Sequence, residues 1–507
     1  METNGPVMSR QEGEKTHQSS ASTRYGSVAD SISAPEPEET TTVISSERAY
    51  VTVAILCYVN LINYMDRYTI AGVLLSIQNF FEIKDSMSGL LQTVFICSFI
   101  VLAPIFGYLG DRYNRKLIMI GGLTVWVAMT LTSSFYFWLL VLFRALVGTG
   151  EASYSTIAPT IIGDLFSGTK RTIMISAFYI FIPVGSGLGY IIGSYVASAT
   201  GDWRWALRLN PILGSFGLLL LAVFCPNPSR GASEAHGGNR MQHTSYLEDI
   251  KYLLKNKSFV WSSLGVTAMA FLTGALAFWT PIFLDRAQIN QGIQPPCTAE
   301  PCNTTNSYVF GGLTVVTGIL GVSLGSTISR RLRDRVPNAD PLICAVGMLS
   351  SAPCFFAAII LASTSVPATY VFIGIGEILI SLNWSILADI LLYVVVPTRR
   401  ATAEALQIMV CHLLGDAGSP YLIGTISDAL RSQLNTHEWK FRSLEYSFLL
   451  CPFVGVLGGL FFLMTAVYIT KDRKERLEIS EPRTYSIGFL FGHLYILTLM
   501  FRKSPQR

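Results

Sequence analysis

Charge is scarce in this chain. Asp, Glu, Lys and Arg make up 14% of its 507 residues, against 50% hydrophobic, a balance that excludes an ordinary soluble globule of this length. Basic residues exceed acidic ones by only 37 to 33. They gather at the edges of apolar segments, which argues against a nucleic-acid surface and fits the cationic bias of cytosolic membrane loops. Histidine is rare at 6 residues, with no His-Glu-x-x-His pair to hold zinc. There is no Walker loop either, which excludes an ATP-driven pump; no G-x-S-x-G elbow is expected, and neither is a catalytic site, a metal or a cofactor. Cysteine is sparse at 9 residues, most inside or at the ends of apolar stretches, where it packs as a small core residue. Cys297 and Cys302 differ: they lie in a polar loop beside the Asn303-Thr304-Thr305 glycosylation sequon, as an oxidising face would have them. They form either a disulfide or two free loop thiols. The first 47 residues are rich in Ser, Thr, Glu and Pro and hold no apolar run, so no cleavable signal peptide is expected.

Long apolar runs fill the remainder. A bilayer crossing needs about 20 apolar residues, and about twelve such segments can be drawn. They lie near 50–76, 88–109, 117–135, 137–163, 172–197 and 206–225, then near 259–284, 308–330, 341–363, 367–396, 402–429 and 446–470. The expected fold is therefore an all-α membrane protein of two six-helix bundles. Its domains are a disordered cytosolic tail (1–47), an N-terminal bundle (48–225), a cytosolic linker (226–258), a C-terminal bundle (259–470) and a tail (471–507). Alternate loops hold Arg112, Arg115, Lys116, Lys170, Arg171, Arg330, Arg331, Arg399 and Arg400, which places that side in the cytosol. In the linker, Tyr246, Ile250, Leu253 and Leu254 share a helical face expected to lie on the membrane surface. Trp203 and Trp205 suit the aromatic belt at the opposite interface. The apolar run 485–501 is at the short limit for spanning, and reads as an interfacial tail.

The sharpest local signal is GYLGDRYNRK, Gly107 to Lys116. Gly107 and Gly110 allow close helix approach, Asp111 supplies a carboxylate, and Arg112, Arg115 and Lys116 hold this end on the cytosolic side. Four ionisable residues stand deeper, where each costs at least about 2.5–3.5 kcal/mol unless offset. Asp66 and Arg67 are neighbours, about 100° apart on a helix, so at least one faces a central cavity unless both merely close the span end. Arg144 and Glu151 are seven apart and share a face, either as a substrate and proton site or as a structural pair. Asp389, His412 and Asp416 are weaker candidates, and the Gly- and Pro-containing GDAGSPYLIG suggests a broken helix. Glu377 and Glu404 read as structural.

Together, NYMDRYTIAGVLL from Asn63, LLQTVFICSF from Leu90, GYLGDRYNRK, GEASYSTIAPT from Gly150, IPVGSGLGY from Ile182, GDWRWALR from Gly201, PTRRATAEALQ from Pro397 and HLLGDAGSPYLIG from His412 resemble the spinster family of the major facilitator superfamily. The resemblance runs from about 48 to 472; Asn114 departs from the usual Gly. It implies a secondary transporter that exports single-chain amphiphiles, sphingosine-1-phosphate or lysophospholipids, by alternating access. It also implies functional residues at Asp66, Arg67, Arg144, Glu151 and His412. On the chemistry of the residues, Arg67 and Arg144 are the expected headgroup site with Asn63 and Tyr64 beside them, Asp66, Glu151 and His412 the expected proton-coupling groups, and Gly107, Asp111, Arg112 and Arg115 the expected gate. The partner is then a lipid or lysolipid, with no nucleic acid, and the unit a monomer in the plasma membrane or an endosomal or lysosomal membrane. Two other readings stay open: a proton-coupled carrier of a small organic anion, and a transport-inactive receptor or scaffold.

Overall fold

The computed structural model describes residues 45–132, 136–166, 168–228, 246–297, 302, 305–396, 399–431 and 436–480, and among them it contains helices and no strand. That follows from the solvent, because in lipid a segment must satisfy its own backbone polar groups. The first half contains α1 (Ser46–Gly72), α2 (Leu74–Phe81), α3 (Asp85–Arg112), α4 (Arg115–Thr132), α5 (Phe137–Leu165), α6 (Gly168–Thr200) and α7 (Arg204–Phe224). A short α8 (Tyr246–Lys255) precedes the second half: α9 (Lys257–Asn290), α10 (Thr305–Arg333), α11 (Ala339–Leu361), α12 (Val366–Ser381), α13 (Trp384–Val394), α14 (Arg400–Cys411), a π-turn (His412–Asp416), α15 (Gly418–Arg431), α16 (His437–Phe448) and α17 (Leu450–Ser480).

Ten helical segments among the described residues are long and apolar enough to cross a membrane. The other two expected segments correspond to α5 and to α14–α15, and both depart for a visible reason. Arg144, Glu151 and Asp164 dilute the apolar character of α5, yet its 29 residues still measure about 43 Å. The segment 400–431 is interrupted by the π-turn, where Ala417 N–H bonds back five residues to the His412 carbonyl at 2.9 Å. Both segments also carry buried charge, Arg144 and Glu151 on α5 and Asp416 in the π-turn.

Within the first half α1 packs on α6 and α7, and α5 on α3 and α4; within the second, α17 packs on α9 and α11. The halves meet along two seams, α6 with α10 and α3 with α15. Glycines make both close. A Cβ on Gly311 would meet the Gly187 carbonyl at 2.5 Å, and one on Gly424 would meet the Asp85 carbonyl carbon at 2.7 Å. Gly89 on α3 is equally tight against Pro420 and lies 2.8 Å from Tyr421 Cα by the same measure. Gly89→Ala should therefore weaken this seam by about 1–3 kcal/mol. A cysteine placed at the buried Ser427 should then label faster with a maleimide, and unchanged labelling would show that the seam tolerates the methyl.

Several local expectations change. Trp203 is buried at 1% exposure against Phe80 and Phe81, because the short α2 folds over it, and only Trp205 is exposed. On α8 the face turned to the protein is Asp249 and Leu253, with Asp249 paired to Arg399 at 2.8 Å, so Leu254 points outward with Leu247. α17 continues to Ser480, ten residues past the expected end of its span at 470. Gly321-Val322-Ser323-Leu324-Gly325 has the spacing of a hydrolase elbow but lies within α10, with Gly321 and Gly325 packed against the α12–α13 break. The stretch 485–501 lies outside the described residues, as does the tail up to 44.

Candidate functional site at the seam between the two halves

Asp66 and Arg67 do point apart. Asp66, 1% exposed, turns into the first half, where its carboxylate accepts from Arg144 Nη1 at 3.1 Å, Trp126 Nε1 at 3.2 Å and Asn210 Nδ2 at 3.1 Å. It is a satisfied buried acid that ties α1 to α4, α5 and α7. Arg67 turns toward the second half instead. Its Nη2 donates to Asp416 Oδ2 at 2.9 Å, its Nη1 lies 3.7 Å from Glu151 Oε1, and the rings of Tyr64, Tyr68 and Phe95 surround it at 5.5–6.0 Å. Asp416 is shared: His412 Nδ1 sits 2.8 Å from its Oδ1. The π-turn makes this possible by pressing its backbone onto α9, where Gly274 faces Asp416 and Gly415 faces Ala270.

Arg144 and Glu151 share a face of α5 but serve different partners. Arg144 holds Asp66 while Glu151 faces Arg67, and the Phe95 ring stands between the two guanidiniums, 4.8 Å from Arg144 and 5.5 Å from Arg67. Several of these buried polar atoms have no hydrogen-bond partner: Arg67 Nε, Arg144 Nε and Nη2, Glu151 Oε2 and Asn63 Nδ2. A buried polar atom left unpaired costs about 1–3 kcal/mol, so unpaired donors beside an unpaired carboxylate oxygen form a surface suited to a polar, charged guest.

At the basic end, the last turns of α3 and the start of α4 depart from expectation. Gly107 faces open space, with nothing within 4 Å of where a Cβ would stand, and only Gly110 lies against a neighbour, Ile157. Close approach at Gly107 is therefore absent in this arrangement, because the halves touch at the opposite end of α3. Arg112 is exposed and stacks on Tyr108 at 4.2 Å, and Arg115 pairs with Asp164 and donates to the Gly110 carbonyl at 3.4 Å, clamping α4 to α5. The Asp111 side chain lies outside the described residues. At the same end of the second half stands Ser329, on the last turns of α10. It donates to Asp340 at 2.6 Å, and Arg333 pairs with both Asp340 and Asp389. That makes Asp389 a partner at the basic end rather than an intramembrane site.

The opposite end holds a cluster that sequence reasoning missed. Asp85, 1% exposed at the start of α3, takes both terminal nitrogens of Arg286 from α9 at 2.9 and 2.5 Å and accepts from Ser427 of α15 at 2.8 Å. Gln78 accepts from Arg286 at 3.1 Å, and Asp428 accepts the Asp85 and Ser86 amides at 3.1 and 2.8 Å. Nearby, Cys297 and Cys302 are joined by a disulfide, and Asn79 donates to the Cys297 carbonyl at 3.1 Å. Asn303 lies outside the described residues. Each member sits at the end of an apolar run, where a charge is ordinary, so only the fold reveals the cluster.

Residues 56–420 match the family model of the Major Facilitator Superfamily. The chain is 73% identical over 463 residues to spinster homolog 3 of Danio rerio, covering 90% of this chain and 93% of that protein. The chain belongs to the spinster family of the major facilitator superfamily. Spinster homolog 1 of Xenopus laevis is 58% identical over 439 residues, covering 86% of this chain and 84% of that protein. Among solved structures, a bacterial homologue of the human lysosomal transporter spinster, inward-facing and unoccupied, superposes with a TM-score of 0.73 at 20% identity, over 85% of this chain and 99% of that one. Spinster membership makes the chain a multi-pass integral membrane protein and a transporter, and the shared architecture places its two halves as the bundles of a major facilitator fold.

Proposed function

We propose that this spinster-family chain moves a single-chain amphiphile with a phosphate-bearing headgroup, a sphingoid phosphate or lysophospholipid, across an endosomal, lysosomal or plasma membrane by alternating access. The observation that carries the reading is the cluster of buried Arg67, Glu151 and Asp416 with the half-buried His412 on the seam, with unpaired polar atoms of Arg67, Arg144, Glu151 and Asn63 around it. A guanidinium binds phosphate through charge-assisted hydrogen bonds, and Arg67 and Arg144 have unused N–H groups to offer. Tyr64 and Asn63 flank the headgroup. Glu151 and His412 carry the coupled proton, with Asp66 setting the position of Arg144. The basic end faces the cytosol, so Asp85 and its partners close the site toward the other side, and Asn303 carries glycan there. Gly107, Asp111, Arg112 and Arg115 form the complementary closure when the cytosolic ends come together. The unit is a monomer.

The test is an efflux panel in vesicles containing purified protein. Labelled sphingosine-1-phosphate and lysophospholipids are expected to leave saturably and to compete with one another, whereas small organic anions neither leave nor compete. Efflux of the small anions alone would establish the organic-anion reading in its place.

A further inference from the structure

Asp416 occupies the position on Arg67 that an anionic headgroup needs. Its Oδ2 lies 2.9 Å from Arg67 Nη2, whereas Glu151 stands back at 3.7 Å, so Asp416 is the nearer carboxylate and the one supplied by the other half of the molecule. The second oxygen of Asp416 is held by His412 Nδ1 at 2.8 Å, and the edge of the Phe99 ring closes over that imidazole at 5.7 Å. The charges that face Asp416 are thus Arg67 from α1 and His412 from its own π-turn, with Glu151 behind Arg67 and the Arg144–Asp66 pair beyond Phe95. The hydroxyl of Tyr68 belongs to the same surroundings, since its ring flanks Arg67 at 5.8 Å. From α9 the nearest approach is Gly274, which brings no charge.

We infer that Asp416 is an internal competitor for the headgroup: it holds Arg67 while the site is empty, must be displaced by the anion, and is drawn off Arg67 when His412 is protonated. This rests on the reading of Arg67 as the headgroup residue. The chemistry follows from the sharing. Two partners compete for one carboxylate, and a protonated His412 strengthens its own hold on Asp416 at the expense of Arg67. The bond between the halves is then exchanged for a bond to the guest, so binding and separation of the halves are coupled. Asp416 acts through Arg67 and is a positioning residue.

The experiment measures binding of a labelled lysophospholipid, a single-chain phosphodiester whose charge is the same at both pH values, to purified wild type, Asp416→Asn and Asp416→Glu at pH 5.5 and pH 7.5. Asparagine keeps the shape and removes the competing charge. Its affinity at pH 7.5 is expected to rise about tenfold over wild type, within the usual range of such couplings. The pH dependence seen in wild type should disappear in Asp416→Asn, while Asp416→Glu should restore both the weaker binding and its dependence on pH. Asp416→Asn binding that equals or falls below wild type, with Asp416→Glu behaving normally as evidence of folding, overturns the inference, as does a pH dependence that survives in the asparagine variant. Absence of binding by folded wild type at either pH would instead overturn the headgroup reading itself.

Discussion

Arg67→Ala should lower lipid efflux by at least about a hundredfold at normal expression. The substitution removes the cation that Asp416 and Glu151 share, and stranding buried carboxylates in this way costs about 3–5 kcal/mol. It also removes the Nε and Nη donors that face the site. Arg67→Lys should recover little, because a single ammonium cannot span Asp416 and Glu151 at once or stack among Tyr64, Tyr68 and Phe95. Glu151→Gln should fail in another way, with headgroup binding kept and the pH dependence of efflux altered. Equal defects in binding for Arg67→Ala and Glu151→Gln would reduce the cluster to a structural pair.

Arg286→Ala should open the other end. Asp85 loses a two-pronged guanidinium while remaining 1% exposed, and a loss of about 3–5 kcal/mol moves an equilibrium between arrangements by a factor of about 150 or more. Spin labels on the exposed Lys84 and Leu430, at the ends of α3 and α15, should report a longer separation in this variant. Asp85→Asn should produce a smaller change in the same direction, since the amide retains the bond from Ser427. An unchanged distance distribution in Arg286→Ala would mean that the glycine seam alone keeps this end closed.

The residues differ in how legible they were from sequence. The spans, the two-half layout and the divergence of Asp66 from Arg67 follow from apolar length and helical periodicity, which are local properties. The partners of those charges do not. Asp416 lies 349 positions from Arg67, and nothing in HLLGDAGSPYLIG shows that a π-turn will bring its carboxylate to the seam. A separation of seven puts Arg144 and Glu151 on one face, yet which acid each arginine holds depends on where α1 passes. A tryptophan beside charged residues at a span end is usually interfacial, and only α2 folding back over Trp203 decides otherwise. On α8 the apolar periodicity was real, but the Asp249–Arg399 pair selected which side meets the protein.

The central claim is that the disulfide end must open for cargo to pass, and a reversible lock tests it most directly. Ser86 and Asp428 already touch across the α3–α15 seam, with the Ser86 amide 2.8 Å from the Asp428 carboxylate. Cysteines at both positions can be cross-linked by oxidation and released by reductant, with wild type taken through the same cycle to control for Cys297–Cys302. Efflux of labelled lysolipid should fall to the level of protein-free vesicles when the lock is closed and return when it is released. Efflux that continues at full rate with the cross-link complete would contradict alternating access through this seam.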